Sequence, residues 1–135
     1  LAYDTELTYR KLAESCLLLQ RPGVRFLSTH PDMVCPSAKG PLPDTGSFVR
    51  LYEGATGRLP ELVFGKPNTR VLSPLLTRFR QDEMVMVGDR LTTDKLLAEN
   101  AGIDFILVLS GEAKREDLPG LVRQPTLVLD HLGSL

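Results

Sequence analysis

The sequence is short of the features that would place it outside the ordinary run of globular proteins. It has two cysteines, Cys16 and Cys35, in 135 residues. That density argues against a disulfide framework and for reduced thiols, as in the cytosol. No apolar run approaches the roughly 20 residues needed to cross a bilayer, and the opening residues do not read as a signal peptide. A cytoplasmic location without a membrane partner is therefore expected. Neither sign of charge dominates, because 16 basic residues stand against 17 acidic ones for a formal net charge of −1. So even a balance gives no global attraction for nucleic acid or an anionic surface, although a local anion site is still open. Internal repeats and low-complexity tracts are lacking. A nucleotide-binding P-loop is lacking too: Gly65-Lys66-Pro67 has neither the four-residue spacer nor the Ser/Thr after lysine. No G-x-G-x-x-G follows a strand, so a dinucleotide site has no support.

What is present reads as a soluble α/β chain. The hydrophobic fraction is 42% and the charged fraction 24%, both ordinary, and a chain of this length buries a core unaided. Asp4 can cap a helix on which Tyr9, Leu12, Ala13, Cys16 and Leu17 recur at helical spacing, and Pro22-Gly23 ends it. Val24–Ser28 reads as a short strand, residues 29–44 as a Pro/Gly-rich loop, and 45–55 as a helix with Phe48, Leu51, Tyr52 and Ala55 on one side. Leu62-Val63-Phe64 is a brief strand running into Gly65-Lys66-Pro67. Asn68 can cap a helix carrying Val71, Leu72, Leu75, Leu76 and Phe79 on one face, interrupted early by Pro74. Met84–Val87 is a continuous apolar run, as in a strand buried on both faces. Further along come a helix over 93–101 stopped by Gly102, a buried strand over 105–109 and a short strand over 126–129. Strands alternating with helices predict a parallel sheet with right-handed crossovers. The expected division is an α/β piece over 1–59 and a doubly wound layer over 60–135.

Three residues stand where chemistry is done in such sheets, outside the carboxyl ends of strands. Asp89 follows the 84–87 strand directly, and Asp94 lies five residues on at the start of the next helix. Two carboxylates facing one crevice suit magnesium, which binds one or two acids and completes its octahedron with water and substrate phosphate. Lys66 follows the preceding strand and offers a compact charge for phosphate. Taken singly each has a plain alternative: Asp94 as a helix cap, Asp89 as a solvated turn, Lys66 as an ordinary surface lysine. Together they pair a cation and a metal site around one phosphoryl group, the electrostatic preorganisation that phosphoryl transfer requires.

The runs VFGKPN, VMVGDRLTTD and NAGIDFILVLSGEAKREDL resemble motifs three and four and the following strand of haloacid dehalogenase (HAD) superfamily phosphatases. The branch they are most similar to holds the NagD-like, p-nitrophenyl phosphate, phosphoglycolate and pyridoxal phosphate phosphatases. The segments YDTELTYRKL, LSTHPD, DTGSFV and GATGRLPELVFGKP resemble the large α/β cap domain of that branch. The resemblance implies a HAD-like Rossmannoid core, here without its first strands, and a cap domain over 1–59. It implies Lys66 as the lysine that stabilises nucleophile and phosphate, Asp89 as a Mg2+ ligand, and Asp94 as the second acid behind the metal waters and the lysine. His30 and Asp32 fall in the loop by which the cap meets substrate, although His30 stands where Asn is usual and reads equally well as a surface histidine. Asp44 stands where glycine is common, Lys95 where an aliphatic residue is usual, and Glu99 where a small one is frequent.

The family's nucleophile motif, D-x-D-G, does not occur, and the chain starts at Leu1 inside the cap pattern. The expectation is a fragment of a magnesium-dependent phosphomonoester hydrolase for a small phosphorylated metabolite, inactive alone because the nucleophile is missing, with a possible homodimer through the cap. The alternative is a non-catalytic truncated protein that binds metal, phosphate or a partner. A phospho-receiver module fits less well, because there the lysine follows the acceptor aspartate, and here Lys66 precedes Asp89.

Overall fold

Thr8, not Asp4, opens the first helix. In the computed structural model, which describes residues 1–135, α1 spans Tyr9–Leu19 and the Thr8 hydroxyl accepts the Lys11 N–H at 3.3 Å. Asp4 lies too far upstream to reach those amides. Its carboxylate takes the Glu6 N–H and the Lys11 ammonium at 2.8 and 2.9 Å instead, and the lysine holds its pKa below the ordinary value. Strand β1 is only Leu27–Ser28, shorter than the expected 24–28. The 29–44 segment is not structureless either. It folds into an antiparallel ladder of β2, Val34–Cys35, with β3, Leu42–Pro43, a pairing too short for period-two patterning to reveal. Helix α2, Thr45–Thr56, is capped by the Asp44 carboxylate and stopped by Gly57 at φ 72°. Strand β4, Leu62–Val63, then pairs parallel to β1. Leu19, Phe26, Phe48 and Tyr52 form the core beneath, with the Phe26 and Tyr52 rings edge-on at 5.8 Å.

Because Leu62–Val63 pairs with Leu27–Ser28, it belongs with the first half. The chain accordingly divides into units Leu1–Gly65 and Lys66–Leu135, later than the expected 59/60 division.

The second unit is built on a parallel sheet of β5, Val85–Gly88, β6, Asp104–Val108, and β7, Leu127–Leu129, with β6 in the middle. The expected burial of 84–87 on both faces does not hold. β5 is an edge strand and Val85 is 50% exposed. The expected helix after Asn68 is two short turns, a 3₁₀ turn over Thr69–Leu72 and then α3, Ser73–Leu76. Only Leu72 of its apolar set is buried, while Val71, Leu75, Leu76 and Phe79 remain exposed. Pro74 at the start of α3 has no N–H to continue the ladder, so no single face runs the length of the segment. The helix expected over 93–101 is a π-type turn, Leu91–Lys95, leading into α4, Leu96–Ala101, which ends at Gly102 with φ 67°. Leu97, Ala98, Ala101, Ile103, Phe105 and Leu107 pack between α4 and the sheet. No helix of the chain is long and apolar enough to cross a membrane.

Candidate functional site

In the second unit, Asp94 is the hub. The π-type turn after β5 carries it back beneath the strand exit, where it is 2% exposed. Its Oδ1 pairs with the Lys66 ammonium. Its Oδ2 accepts the backbone N–H groups of Asp89 and Arg90 at 3.2 and 3.1 Å. A buried carboxylate is tolerable only when its lone pairs are so occupied. Gly88 makes room for it: a Cβ there would sit 2.3 Å from Asp94 Oδ2. Lys66, Asp89 and Asp94, which the sequence places at one crevice, are thus linked through Asp94.

Asp89 leaves the end of β5 with its own supports. The Glu112 N–H donates to its Oδ2 at 2.8 Å, and the Ala113 N–H to its main-chain carbonyl at 3.0 Å. Gly111 allows the approach, since a Cβ there would lie 2.0 Å from Asp89 Oδ2. Arg90 Nε holds Glu112 Oε2 at 2.8 Å, tying the loop after β6 to the strand exit. Sequence reasoning missed Gly111 and Glu112; the signal was a small residue and an acid just beyond the 105–109 strand, at the carboxyl edge of the sheet. Thr93 Oγ1 is buried here without a hydrogen bond.

In the first unit, His30 and Asp32 come together with a third residue, Asp44. His30 Nε2 lies 2.8 Å from Asp44 Oδ1, and its Nδ1 lies 3.0 Å from the Thr29 hydroxyl. One ligand atom from each of His30, Asp32 and Asp44 lies within 4.8 Å of the others, a group that could hold a metal ion. Two glycines fix the His30–Asp32 turn. A Cβ on Gly46 would meet the Pro31 carbonyl at 2.2 Å, and one on Gly65 would meet His30 Cβ at 2.3 Å. The Gly46 N–H donates to Asp32 O and the Asp44 N–H to Met33 O, at 2.8 and 3.0 Å. Burial alone would raise the Asp44 pKa. Hydrogen bonds from the Thr45 N–H, His30 and the Thr45 hydroxyl, with the charge of His30, outweigh it and hold the carboxyl below its ordinary value. Nothing in the sequence alone joins Asp44 to His30, fourteen residues away.

Comparison with known proteins agrees with the motifs. Residues 63–135 match the HAD-hydrolase-like family model. The chain is 37% identical over 131 residues to the 5'-nucleotidase YutF of Bacillus subtilis, covering 96% of this chain and 50% of that one. It is 36% identical over 125 residues to the acid sugar phosphatase of Staphylococcus haemolyticus, covering 91% and 47%. It superimposes on the crystal structure of 4-nitrophenylphosphatase from Thermotoga maritima with a TM-score of 0.88 and 46% identity, over 98% of this chain and 51% of that one. The chain spans about half the length of the curated relatives it matches. With GKP and GDRLTTD at their strand exits, and a family match over more than half its length, the chain belongs to the HAD-hydrolase-like family, in the branch of the NagD-like and p-nitrophenyl phosphatases.

Proposed function

We propose that the second unit carries the lysine and acids of a magnesium-dependent phosphomonoester hydrolase acting on a small phosphorylated metabolite, that the first unit is its cap domain, and that the attacking aspartate comes from outside these 135 residues. The observation that carries this reading is the double engagement of Asp94, with Lys66 on one oxygen and the Asp89 and Arg90 amides on the other. A lysine whose head is held by a buried acid is pre-positioned for phosphoryl oxygens, so little reorganisation is needed when charge develops.

The residues fit magnesium. Asp89 contributes a hard carboxylate ligand at the strand exit, oriented by the Glu112 N–H from the side that Gly111 leaves open. One carboxylate with water and phosphate oxygens is a sufficient protein contribution for this ion. When bound, the ion supplies charge neutralisation to the transferred phosphoryl group. Asp89 would hold it, Asp94 would orient Lys66 and the Asp89 backbone, and Lys66 would bind phosphate. The activities of the relatives, a nucleotidase, an acid sugar phosphatase and a nitrophenylphosphatase, all concern phosphate esters of small molecules and support that substrate class.

The test is phosphate release from p-nitrophenyl phosphate by the full-length gene product. Activity should stop with chelator and fall about 10²–10³-fold in Asp89→Asn, the scale of losing one electrostatic stabiliser. Unchanged turnover in that variant would remove Asp89 from the metal-binding role. The 135-residue chain alone should not turn over, and sustained phosphate release by it would show that the attacking group lies within it. Because no D-x-D-G occurs, the chain taken alone also supports a second reading, a module that binds metal or phosphate without turnover. Calorimetry with magnesium and inorganic phosphate tests that reading, which silence from a folded sample would exclude.

A further inference from the structure

We propose that His30, Asp32 and Asp44 form a binding site for a divalent transition-metal ion of the zinc type within the first unit. One imidazole nitrogen and two carboxylates, with ligand atoms within 4.8 Å of one another, are the donor set that borderline ions accept. Three protein ligands also leave a fourth position open to water or a small anion. Hard magnesium has little use for an imidazole, so the histidine points to zinc, cobalt or nickel.

Three features argue that the group is built and not accidental. The ligands come from two segments that backbone hydrogen bonds clamp together, Asp44 N–H to Met33 O and Gly46 N–H to Asp32 O. Gly46 and Gly65 let the chain pack where any Cβ would overlap the His30–Asp32 turn, so the imidazole and the Asp32 backbone are held by sterics as well. The outer contacts that metal-bound histidine and carboxylate need are already present. The Thr29 hydroxyl lies 3.0 Å from His30 Nδ1, where it can take that ring N–H and leave Nε2 for the ion. The Thr45 N–H and hydroxyl both hold Asp44 Oδ1, at 2.5 and 3.1 Å. Nε2 and Asp44 Oδ1 are now 2.8 Å apart. An ion at roughly 2.0–2.2 Å from each atom would separate them only slightly.

The experiment is titration of the chelator-treated 135-residue chain with zinc by calorimetry, repeated with cobalt to read the visible absorption of the bound ion. One equivalent should bind. His30→Asn keeps a polar side chain in the turn but supplies no imidazole, and it should abolish the tight phase. Thr29→Val removes only the outer contact and should weaken binding about 10–100-fold. Cys35→Ser should leave the zinc isotherm unchanged. Circular dichroism on each variant establishes that it is folded. Zinc binding that survives His30→Asn, or that disappears in Cys35→Ser with a cobalt–thiolate charge-transfer band in the wild-type chain, would overturn the assignment. So would a folded chain that takes up no zinc.

Discussion

Gly88 and Asp94 occupy one another's space: the position a Cβ would take on Gly88 lies 2.3 Å from Asp94 Oδ2 and 2.4 Å from its Cγ. The two residues are the end of an edge strand and the inside of a π-type turn. Their contact is what lets a buried carboxylate reach back to the Asp89 and Arg90 amides.

Gly88→Ala should therefore act through Asp94. The methyl would push the carboxylate away from two N–H donors and from Lys66. Overpacking of this kind costs about 1–3 kcal/mol, and a buried amide left without its acceptor adds to that. We expect a loss of about 3 kcal/mol in urea unfolding. The amides of Asp89 and Arg90 should also exchange faster with solvent than in the wild-type chain. A variant as stable as wild type, with both amides still protected, would contradict the role of this contact.

Lys95 and Glu99 form a second coupled pair. Lys95 is 7% exposed and its ammonium engages Glu99 one turn on along the chain. The two residues lie four apart on the π-type turn and the helix that follows it. Glu99→Ala should cost about 3 kcal/mol, because it leaves a buried ammonium unpaired. Lys95→Met should cost less, because the Glu99 side chain is 28% exposed and can rehydrate. The double variant Lys95→Met/Glu99→Ala should return close to wild type, since replacing a buried ion pair with apolar side chains is often neutral. A double-mutant cycle on chemical denaturation reads the coupling; additive losses would show that the two residues act separately.

How much of this was legible follows from the length scale of each signal. The GKP and GDRLTTD runs and the apolar runs at 84–87 and 105–109 show in the sequence because strand, turn and acid lie within a few residues of each other; the strands themselves are 85–88 and 104–108. The β2–β3 ladder does not, because two residues per strand are too few for a period. The broken helix around Pro74 reads as one apolar face because periodicity counts side chains and not the hydrogen bonds that would keep them on one cylinder. The supports of Asp89 come from Gly111 and Glu112, more than twenty residues away in sequence and adjacent only through the β5–β6 pairing. Asp44 and His30 likewise lie fourteen residues apart. Contacts of that range are fixed by topology and leave no local period in the sequence.

Asp44 gives the first unit a pH dependence of definite sign. Its carboxyl is held below the ordinary carboxylate value, so between the folded and unfolded pKa values the folded state binds fewer protons. The stabilisation is full above the unfolded value of about 4 and is lost as the pH falls through the lower folded value. Asp44→Asn keeps a helix-capping side chain but removes the titration. Unfolding midpoints at pH 3 and pH 6 should differ less in the variant than in the wild-type chain. Equal pH sensitivity in the two proteins would mean that the hydrogen bonds from Thr45 and His30 do not favour the ionised form.

Gly111 offers the most direct probe of the acid that we assign to magnesium. An alanine there would place its Cβ 2.0 Å from Asp89 Oδ2, the oxygen that now accepts the Glu112 N–H. The carboxylate would have to swing off that donor, while the charge, the strand and the Lys66–Asp94 pair would stay in place. Groups that orient a metal ligand typically account for about 10–100-fold in affinity. We expect Gly111→Ala to weaken magnesium binding by at least about tenfold in calorimetry on the 135-residue chain. Zinc uptake by the first unit should not change. The contrast matters because general unfolding would depress both metals together, whereas a misdirected Asp89 carboxylate depresses magnesium alone. Magnesium affinity equal to wild type in a folded Gly111→Ala chain would show that the orientation of Asp89 does not govern ion binding.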